Sequence, residues 1–456
     1  MKQVDFSNGK ITQNILGTAV PLLAAQLLSL LYNIVDRVYI ARIPGTGTQA
    51  LGSIGLCFPI IMLIFAFTSL YGMGGAPLFS IYLGQGDTEN ASRTMDIAFF
   101  LEVTTGIVLM LIGIVFAVPI LRLFGASEAA LDFGVPYIRI YLTGTVFSMI
   151  AAGMNPYINA QGFSLMGMTT VAIGAVSNLL LDPLFIFVLG FGIRGAAAAT
   201  VLSQFFSALF SFRFLRGKRI AIPLHLLTVR EIRHSGQRCW DIVSLGISSF
   251  VMAGTNSLVS IACNNVLAAT GGDIYISIMT IISSVRQVLD TPVHALSEGA
   301  SPVLSYNYGA GKPREVRKCI RSMFLMCIVC TGFIWSMILL FPVPIISVFS
   351  SDSTILADAV PALHLYFGAF IFMALQFTGQ TVFKALKKKK QAIFFSLFRK
   401  VIIVIPLTYL LPHMFGLGTS GVFLAEAVSN VIGGTASFTA MLLMVLPELK
   451  RMEQRA

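Results

Sequence analysis

The chain has 456 residues, of which 56% are hydrophobic and only 11% are charged, and its mean hydropathy is +0.84. Lys and Arg number 31 against 20 Asp and Glu, which gives a formal net charge of +11. This composition excludes an ordinary soluble globular protein and is typical of a protein that crosses a membrane many times.

Apolar runs of about 20 or more residues, the length that crosses a bilayer as a helix, recur along the whole chain. Residues 1–13 are polar and contain no small-residue cleavage site, so we predict no signal peptide. The fold class predicted is an all-α polytopic membrane protein. Its twelve transmembrane helices are predicted at residues 14–41, 54–83, 93–118, 131–159, 165–189, 195–215, 241–269, 274–306, 316–341, 359–384, 391–412 and 419–446.

Basic residues are concentrated in every second connection between the predicted helices. The central connection, residues 213–240, is strongly basic, whereas the alternate connections carry only Arg42, Arg122 and Arg194. By the positive-inside rule this pattern predicts that both termini are cytoplasmic. We expect the protein in the cytoplasmic (inner) membrane of the cell. The lipid bilayer then accounts for the positive charge, and we predict no nucleic-acid partner.

The first predicted helix carries a polar stripe. Ser29, Tyr32, Asn33 and Asp36 follow one another at spacings that put them on one helix face. An ionisable group such as Asp36 inside an apolar segment indicates a functional site, because a charge in hydrocarbon is costly. The other three residues line a path to that site, or Tyr32 and Ser29 serve in packing instead.

Two buried ion pairs are predicted. Glu102 of the third predicted helix and Arg139 of the fourth lie at similar depth, and pairing is the least costly way to bury both charges. The same interpretation applies to Arg399 and Glu426 in the second half of the chain.

The fifth and sixth predicted helices contain the most informative stretch. Asn178 and Asp182 are four residues apart and share a helix face, and Pro183 removes a backbone donor beside the carboxylate. Thr200 lies in the helix that follows. A tight turn between the two helices is predicted by three glycines, Gly190, Gly192 and Gly195.

These polar groups are predicted to be level in the membrane. At 1.5 Å per residue, Asp36, Asp182 and Thr200 lie roughly 8–11 Å below the outer surface. Their oxygens, with the amide of Asn178, suit Na⁺, and two neighbouring carboxyl groups also suit a proton. The sequence leaves either ion open, and it leaves open a purely structural role in tying helices together.

The eighth predicted helix is the most polar one of the second half. Asp290, His294 and Glu298 form a ladder about 12 Å long, which is too long to bind one metal ion. They line a cavity or relay protons, or they form a structural ion-pair ladder with Arg286. Acid and base groups of this kind also occur in hydrolases, but no activated Ser or Cys accompanies them, so we predict that the chain is not an enzyme.

The two halves of the chain repeat one another. Residues 74–86 and 299–311 share glycine, proline and serine at a constant offset of 225 residues, which also relates Pro136 to Pro361. Six helices therefore repeat six in the same orientation, as in transporters whose halves rock about a cavity. The predicted organisation is a first lobe at residues 1–212, a cytoplasmic linker at 213–240 and a second lobe at 241–456.

Three segments carry a family resemblance: residues 178–200, residues 299–311, and the first helix with Pro21 ahead of Tyr32-Asn33-Ile-Val-Asp36. On these segments the chain resembles the multidrug and toxic compound extrusion (MATE) family over nearly its whole length. Within that family it looks closest to the bacterial MepA-like and DinF-like branch.

The resemblance implies a V-shaped bundle of two six-helix lobes that exports small amphipathic, often cationic drugs in exchange for Na⁺ or H⁺ by alternating access, and so confers antibiotic resistance. We expect a monomer with no cofactor beyond the coupling ion. The implied cation site consists of Asp36, Asn178, Asp182, the backbone carbonyl of Ala196, and Thr200, with Tyr137 beside it.

The second half departs from the family pattern. Some members carry carboxylates in helices 7 and 10, whereas helix 7 has asparagines here and helix 10 has no acid in its membrane part. Asp290 is the available substitute. The alternative function is that of a flippase for lipid-linked sugars, which occurs in wider relatives and requires a basic cavity that only Arg139 and Arg286 are placed to provide.

Overall fold

The computed structural model describes residues 3–124, 126–217, 220–228, 231–232, 235–349, 353–414 and 416–455. Within these ranges the chain is helical and contains no β-strand. The first half folds into α1 Ile11–Ala41, α2 Gly47–Gly84, α3 Thr88–Val115, α4 Ala117–Leu123, α5 Glu128–Thr143, α6 Thr145–Gly153, α7 Asn155–Ala160, α8 Ser164–Pro183 and α9 Gly192–Leu215. The second half folds into α10 Gly236–Gly271, α11 Asp273–Gly309, α12 Pro313–Leu340, α13 Pro342–Ser347, α14 Ser353–Phe367, α15 Met373–Ala385, α16 Lys389–Leu397, α17 Ile405–Leu410 and α18 Thr419–Arg455.

Each of the twelve predicted spans is largely helical in the structure. Over the described residues, ten helical segments are long and apolar enough to span a bilayer, and a bent segment within residues 130–160 makes eleven. The remaining predicted span is α11, which has ample length at 37 residues but carries Arg286, Asp290 and Glu298. The prediction of an all-α polytopic membrane protein is confirmed.

Several predicted helices are broken rather than continuous. The predicted fourth helix consists of α5, α6 and α7, with a bend of 54° between the segments 130–143 and 145–160. A π-helical turn, Leu184–Val188, extends α8 beyond Pro183, and a second one, Phe398–Val404, joins α16 to α17. Breaks of this kind are tolerated within a membrane where neighbouring protein groups satisfy the freed backbone.

The chain forms two packing units. The first comprises residues 1–4 and 24–246, and the second comprises residues 5–23 and 247–456. This division differs from the predicted lobes in two places, because the first half of α1 packs in the second unit and the beginning of α10 packs in the first.

Glycines at corresponding positions of the repeat explain these assignments. A Cβ atom added to Gly74 of α2 would lie 2.3 Å from the carbonyl oxygen of Ile242 in α10. A Cβ atom on Gly299 of α11 would lie 2.7 Å from Cα of Ala19 in α1. Only glycine permits backbones to approach so closely. In each half, therefore, the second helix of the repeat packs against the start of the other half's first helix.

The first part of the predicted linker packs on the first unit. The backbone N–H of His225 donates to Asp96 Oδ1 of α3 at 2.8 Å, and the N–H of Ile222 donates to Gln161 Oε1 at 3.3 Å. The N–H of Leu224 donates to the carbonyl of Leu215 at 2.8 Å. Residues 222–225 are thus tied by hydrogen bonds to α3, to Gln161 after α7 and to the end of α9.

Candidate ion-binding site

The predicted polar groups of the first unit meet where α1, α8 and α9 come together. Asp182 lies in the last turn of α8 with 0% of its surface exposed, and Asn178 lies one turn earlier, also buried. Ala196 and Thr200 lie in the first half of α9, and Asp36 lies near the end of α1. The structure therefore brings together all five residues of the predicted cation site.

Hydrogen bonds connect the α8 and α9 side of the site. Asn178 Nδ2 donates to Asp182 Oδ1 at 3.0 Å and lies 3.4 Å from Thr200 Oγ1. Thr200 Oγ1 in turn donates to the carbonyl oxygen of Ala196 at 3.0 Å. The amide and the hydroxyl are thus held in one orientation by protein partners.

The two carboxyl groups are neighbours. The Asp36 side chain is within hydrogen-bonding reach of the Asp182 side chain. Among the described residues, Asp36 Oδ1 and Asp182 Oδ2 are buried and have no hydrogen-bond partner. Two such groups in an apolar surrounding do not both keep a negative charge unless a cation lies between them. A proton or a small cation fits this position.

The backbone after Asp182 is shaped by proline and glycine. Pro183 has no N–H, and the following turn is π-helical, so the regular helix ends beside the carboxylate. Gly190 and Gly192 have φ values of +69° and +54°, which confirms the predicted tight turn. A Cβ atom on Gly195 would lie 2.6 Å from the carbonyl of Phe185, so this glycine lets α9 start directly against that turn.

Aromatic side chains surround the carboxyl pair. Tyr32 and Tyr137 lie close enough to Asp36 and Asp182 to interact with them electrostatically. The family resemblance implied this place for Tyr137, and a role of Tyr32 in lining a path to the site stays a prediction. Tyr137 stacks on Tyr141, at 6.0 Å between ring centroids, and Tyr141 was not predicted. Its only sequence signal is the four-residue spacing from Tyr137.

The rest of the polar stripe on α1 is less closely tied to the carboxyl groups. Asn33 is exposed and donates through Nδ2 to the carbonyl of Ser29 at 2.7 Å, which is a bond within its own helix. Ser29 is half-buried. Their assignment to the path of the ion stays a prediction.

The ladder on α11 consists of an arginine–aspartate ion pair and a histidine–glutamate contact. Arg286 Nε lies 3.0 Å from Asp290 Oδ2, and His294 Nδ1 lies 3.3 Å from Glu298 Oε2. This is the structural arrangement that the sequence left open, and it engages Asp290 with an arginine. A role in proton relay stays a prediction.

Glu426 of α18 is the centre of a buried cluster in the second unit. It forms an ion pair with Arg286 and accepts hydrogen bonds from Arg399 Nη1 at 2.8 Å and from Lys400 Nζ at 3.2 Å. The predicted pairing of Arg399 with Glu426 is confirmed. Lys400 was missed, although two adjacent basic residues inside an apolar helix were a visible signal.

The predicted pair of Glu102 and Arg139 is wrong. Glu102 is fully buried in α3, and neither of its carboxyl oxygens has a hydrogen-bond partner in the part of the chain that the structure describes. Arg139 is exposed on α5. Equal depth along two helices does not fix which way each side chain points, and here the rotation of α5 turns Arg139 away.

The described residues contain no group of three or more His, Cys, Asp or Glu side chains that could hold a metal ion. The site offers instead two carboxyl groups with an amide, a hydroxyl and a carbonyl, which is a hard-oxygen set of low charge.

Repeated six-helix halves and a buried carboxyl pair inside membrane helices define the class of polytopic membrane transporters. The family model MatE matches the chain twice, at residues 21–184 and 248–410, once in each half. The chain belongs to the MatE family.

Characterised relatives match along nearly the whole chain. The multidrug export protein MepA of Staphylococcus haemolyticus (strain JCSC1435) is 23% identical over 439 residues, which cover 96% of this chain and 94% of the relative. MepA of Staphylococcus aureus (strain NCTC 8325 / PS 47) is 20% identical over 444 residues, covering 97% and 95%. The prediction of a MepA-like member of the family is confirmed.

Solved structures agree on the fold. A multidrug resistance MATE family transporter of the MOP superfamily in an outward-facing conformation matches with a TM-score of 0.90 at 21% identity, covering 100% of this chain and 99% of the other. A MOP superfamily transporter from Pyrococcus furiosus matches with a TM-score of 0.90 at 21% identity, covering 99% of both chains.

Proposed function

We propose that the protein is a cation-coupled antiporter that exports small amphipathic organic compounds, organic cations among them, by alternating access. Membership of the MatE family supports transport, and the similar MepA proteins are named multidrug export proteins. The site in the first unit supplies a chemical reason for coupling to an ion.

The observation that carries this proposal is the carboxyl pair of Asp36 and Asp182. It is enclosed by membrane helices, and each group keeps one buried oxygen without a partner among the described residues. An ionisable pair in such a place is costly to maintain and is typical of an ion or proton pathway. A structural tie between helices would be made at lower cost with neutral groups.

The hydrogen bonds favour a proton as the coupling ion. Asn178 turns its N–H groups, not its oxygen, toward Asp182, and the hydroxyl of Thr200 is engaged with the carbonyl of Ala196. Na⁺ would need the amide oxygen as a ligand, so the amide would have to flip, whereas the Thr200 oxygen keeps a lone pair while its proton goes to Ala196. A proton shared by Asp36 and Asp182 requires no change of the amide.

Ion binding drives export only if the two conformations differ in ion affinity. Asp36 lies on α1 and Asp182 on α8, so any movement of α1 relative to α8 changes the separation of the carboxyl groups. A short separation binds the proton tightly, and a long separation releases it. The free energy of this difference is what the antiporter applies to the substrate.

Proteoliposomes with a pH gradient and a Na⁺ gradient imposed separately test the proposal. We expect the pH gradient alone to drive accumulation or efflux of an amphipathic fluorescent organic cation. Asp36→Asn should abolish this movement, because an amide neither binds nor releases a proton. The matched control is Asp132→Asn, an exposed aspartate of α5 outside the site, which should behave as the unaltered protein.

Three outcomes would contradict the proposal in different ways. Gradient-driven efflux retained in Asp36→Asn at equal protein levels would refute the site. Movement driven by the Na⁺ gradient and not by the pH gradient would refute the proton. Translocation of a lipid-linked sugar with no response to either gradient would indicate a flippase.

A further inference from the structure

Glu102 is a buried acid that the carboxyl pair does not explain. It lies in α3 of the first unit with 0% of its surface exposed. Neither Oε1 nor Oε2 receives a hydrogen bond from any residue within the described ranges. The predicted counter-charge, Arg139, is exposed elsewhere.

The groups that face Glu102 are hydroxyls that have other hydrogen-bond partners. Tyr71 of α2 and Tyr157 of α7 are its electrostatic neighbours. Tyr71 Oη lies 2.8 Å from Thr105 Oγ1, and Tyr157 Oη donates to the backbone carbonyl of Tyr71 at 3.1 Å. From α10, Cys239 interacts with Tyr71. These neighbours contribute no positive charge.

Two glycines form the space that the carboxyl group occupies. A Cβ atom on Gly153, at the end of α6, would lie 1.9 Å from Glu102 Oε1 and 2.4 Å from its Cδ. A Cβ atom on Gly72 of α2 would lie 2.9 Å from the carbonyl of Gly153. The carboxyl group is thus enclosed at a contact of three helices, α2, α3 and α6.

An ionised carboxylate without a cation or a donor is strongly disfavoured in an apolar interior, and such a group takes up a proton instead. We propose that Glu102 is a second proton-binding site of the first unit, separate from Asp36 and Asp182, and that it releases its proton to water when the contact of α3 with α6 opens. Release breaks the O–H bond of the neutral acid and leaves a hydrated carboxylate.

The role in transport rests on the proposed antiport, whereas the proton site itself does not. A group that is neutral when enclosed and charged when wetted favours the closed contact at low pH and the open contact at high pH. The site in the carboxyl pair would respond to the separation of α1 and α8, and Glu102 would respond to the separation of α3 and α6.

Infrared spectroscopy of the purified full chain tests the proton site. The carbonyl stretching band of a protonated carboxylic acid should remain at neutral pH in the double variant Asp36→Asn, Asp182→Asn, and it should disappear when Glu102→Gln is added. Glu89→Gln, an exposed position of the same helix, is the matched control and should leave the band unchanged. Equal bands with and without Glu102→Gln would overturn the proposal.

A second variant tests the proton site if the first variant misfolds. If the Glu102→Gln chain does not fold, Gly153→Ala is used, because the added Cβ displaces the carboxyl group from its enclosure. The band should then shift or weaken. An unchanged band would overturn the proposal.

Proteoliposomes test the role in transport. We expect Glu102→Gln to lower pH-gradient-driven efflux by about tenfold or more and to flatten its dependence on pH, since a permanently neutral side chain carries no proton. Efflux equal to that of the unaltered protein at every pH would overturn this role. If the unaltered protein itself shows no ion-driven movement, the proposed antiport fails, and the infrared result still decides the proton site.

Discussion

At the scale of single residues, the orientation of Asn178 bears on which ion the candidate site accepts. Asn178 donates to Asp182 through its amide nitrogen, so its oxygen points away from the carboxyl pair. Thr200 donates its proton to the carbonyl of Ala196, and its oxygen is still able to act as a ligand. The same five residues would form a Na⁺ site only after the Asn178 amide flipped, and the direction of this one hydrogen bond therefore favours the proposed proton.

Thr200→Val separates the two ions by experiment. Valine keeps the shape of threonine but removes the hydroxyl, which a Na⁺ site would lose as a ligand. For a proton shared by Asp36 and Asp182 the hydroxyl is only a supporting partner of Asn178, so we expect pH-gradient-driven efflux to fall by no more than about threefold. Initial rates in proteoliposomes measure this.

The control for that experiment is Thr200→Ser, which retains the hydroxyl and should match the unaltered protein. A loss of about tenfold or more in Thr200→Val, restored in Thr200→Ser, would indicate that the hydroxyl is a direct ligand and would favour Na⁺.

For individual residues, the sequence predicts which residues form the site better than it predicts which side chains pair with one another. Asp36, Asn178, Asp182 and Thr200 could be found because helical periodicity and depth place them together. The pairing of Glu102 with Arg139 was predicted wrongly, because depth leaves rotation about the helix axis undetermined and α5 turns Arg139 outward. Side-chain pairing between helices depends on that rotation, which hydropathy does not encode.

Among the elements, helices are predictable and their interruptions are less so. Apolar length placed all twelve helical positions, since the bilayer fixes the length that a span needs. Pro183 predicts the end of regular helix in α8. No residue of similar strength predicts the bend of 54° between α5 and α6, which lies at Gly144 and depends on packing against other helices.

The segment before α1 is an element that the apolar pattern did not reveal. Phe6 is only 6% exposed, and its ring lies 6.1 Å from the ring of Tyr306 between centroids. Its carbonyl accepts a hydrogen bond from Asn307 Nδ2 at 3.2 Å. The side chain of Lys312 donates to the next carbonyl, that of Ser7, also at 3.2 Å. The segment is thus anchored to the end of α11.

Phe6→Ala should therefore destabilise the protein. Removing a buried aromatic ring costs about 3 kcal/mol of unfolding free energy or more. We expect the thermal unfolding midpoint of the detergent-purified protein to fall by several degrees. Leu16→Ala, at a side chain that is 43% exposed, should change it little. Equal midpoints for Phe6→Ala and the unaltered chain would show that the anchor contributes nothing.

For the whole molecule, the least predictable feature is an exchange between the units: the beginning of each half's first helix packs in the other unit. The duplicated sequence correctly gives two halves, but it cannot show that residues 5–23 pack with the second unit and residues 236–246 with the first. The signal was present in Gly74 and Gly299, whose equivalence was recognised as a repeat. Only the structure shows that these two glycines allow backbone contact with Ile242 and Ala19.

Because of this exchange, cutting the connection between the halves should not separate them. We expect that a protease site inserted between Thr228 and Ser235 and then cleaved leaves the two fragments together on size-exclusion chromatography in detergent. Residues 5–23 remain covalently part of the first fragment while packing in the second unit. The comparison is a chain cleaved after Leu23, in which residues 5–23 are no longer covalently joined to the rest of the first fragment. Dissociation of the fragments cut at 228–235 would contradict the packing units.

The repeat also shows how the halves diverged. The offset that relates Gly192 to Gly418 places Glu426 at the position of Thr200 and Thr408 at the position of Asp182. The acid and the hydroxyl have therefore exchanged helices. In the second unit the acid is surrounded by Arg286, Arg399 and Lys400, and a carboxylate with three cationic partners keeps its charge.

The isolation of Glu102 from the carboxyl pair has a consequence for how far a substrate can be concentrated. With the membrane potential left aside, an exchange of one proton per molecule lets a tenfold proton gradient sustain a substrate gradient of about tenfold, worth about 1.4 kcal/mol. Two protons on independent acids raise that ceiling to about a hundredfold. In the proposed antiport, a second proton carried by Glu102 would therefore lower the internal level to which a compound could be exported.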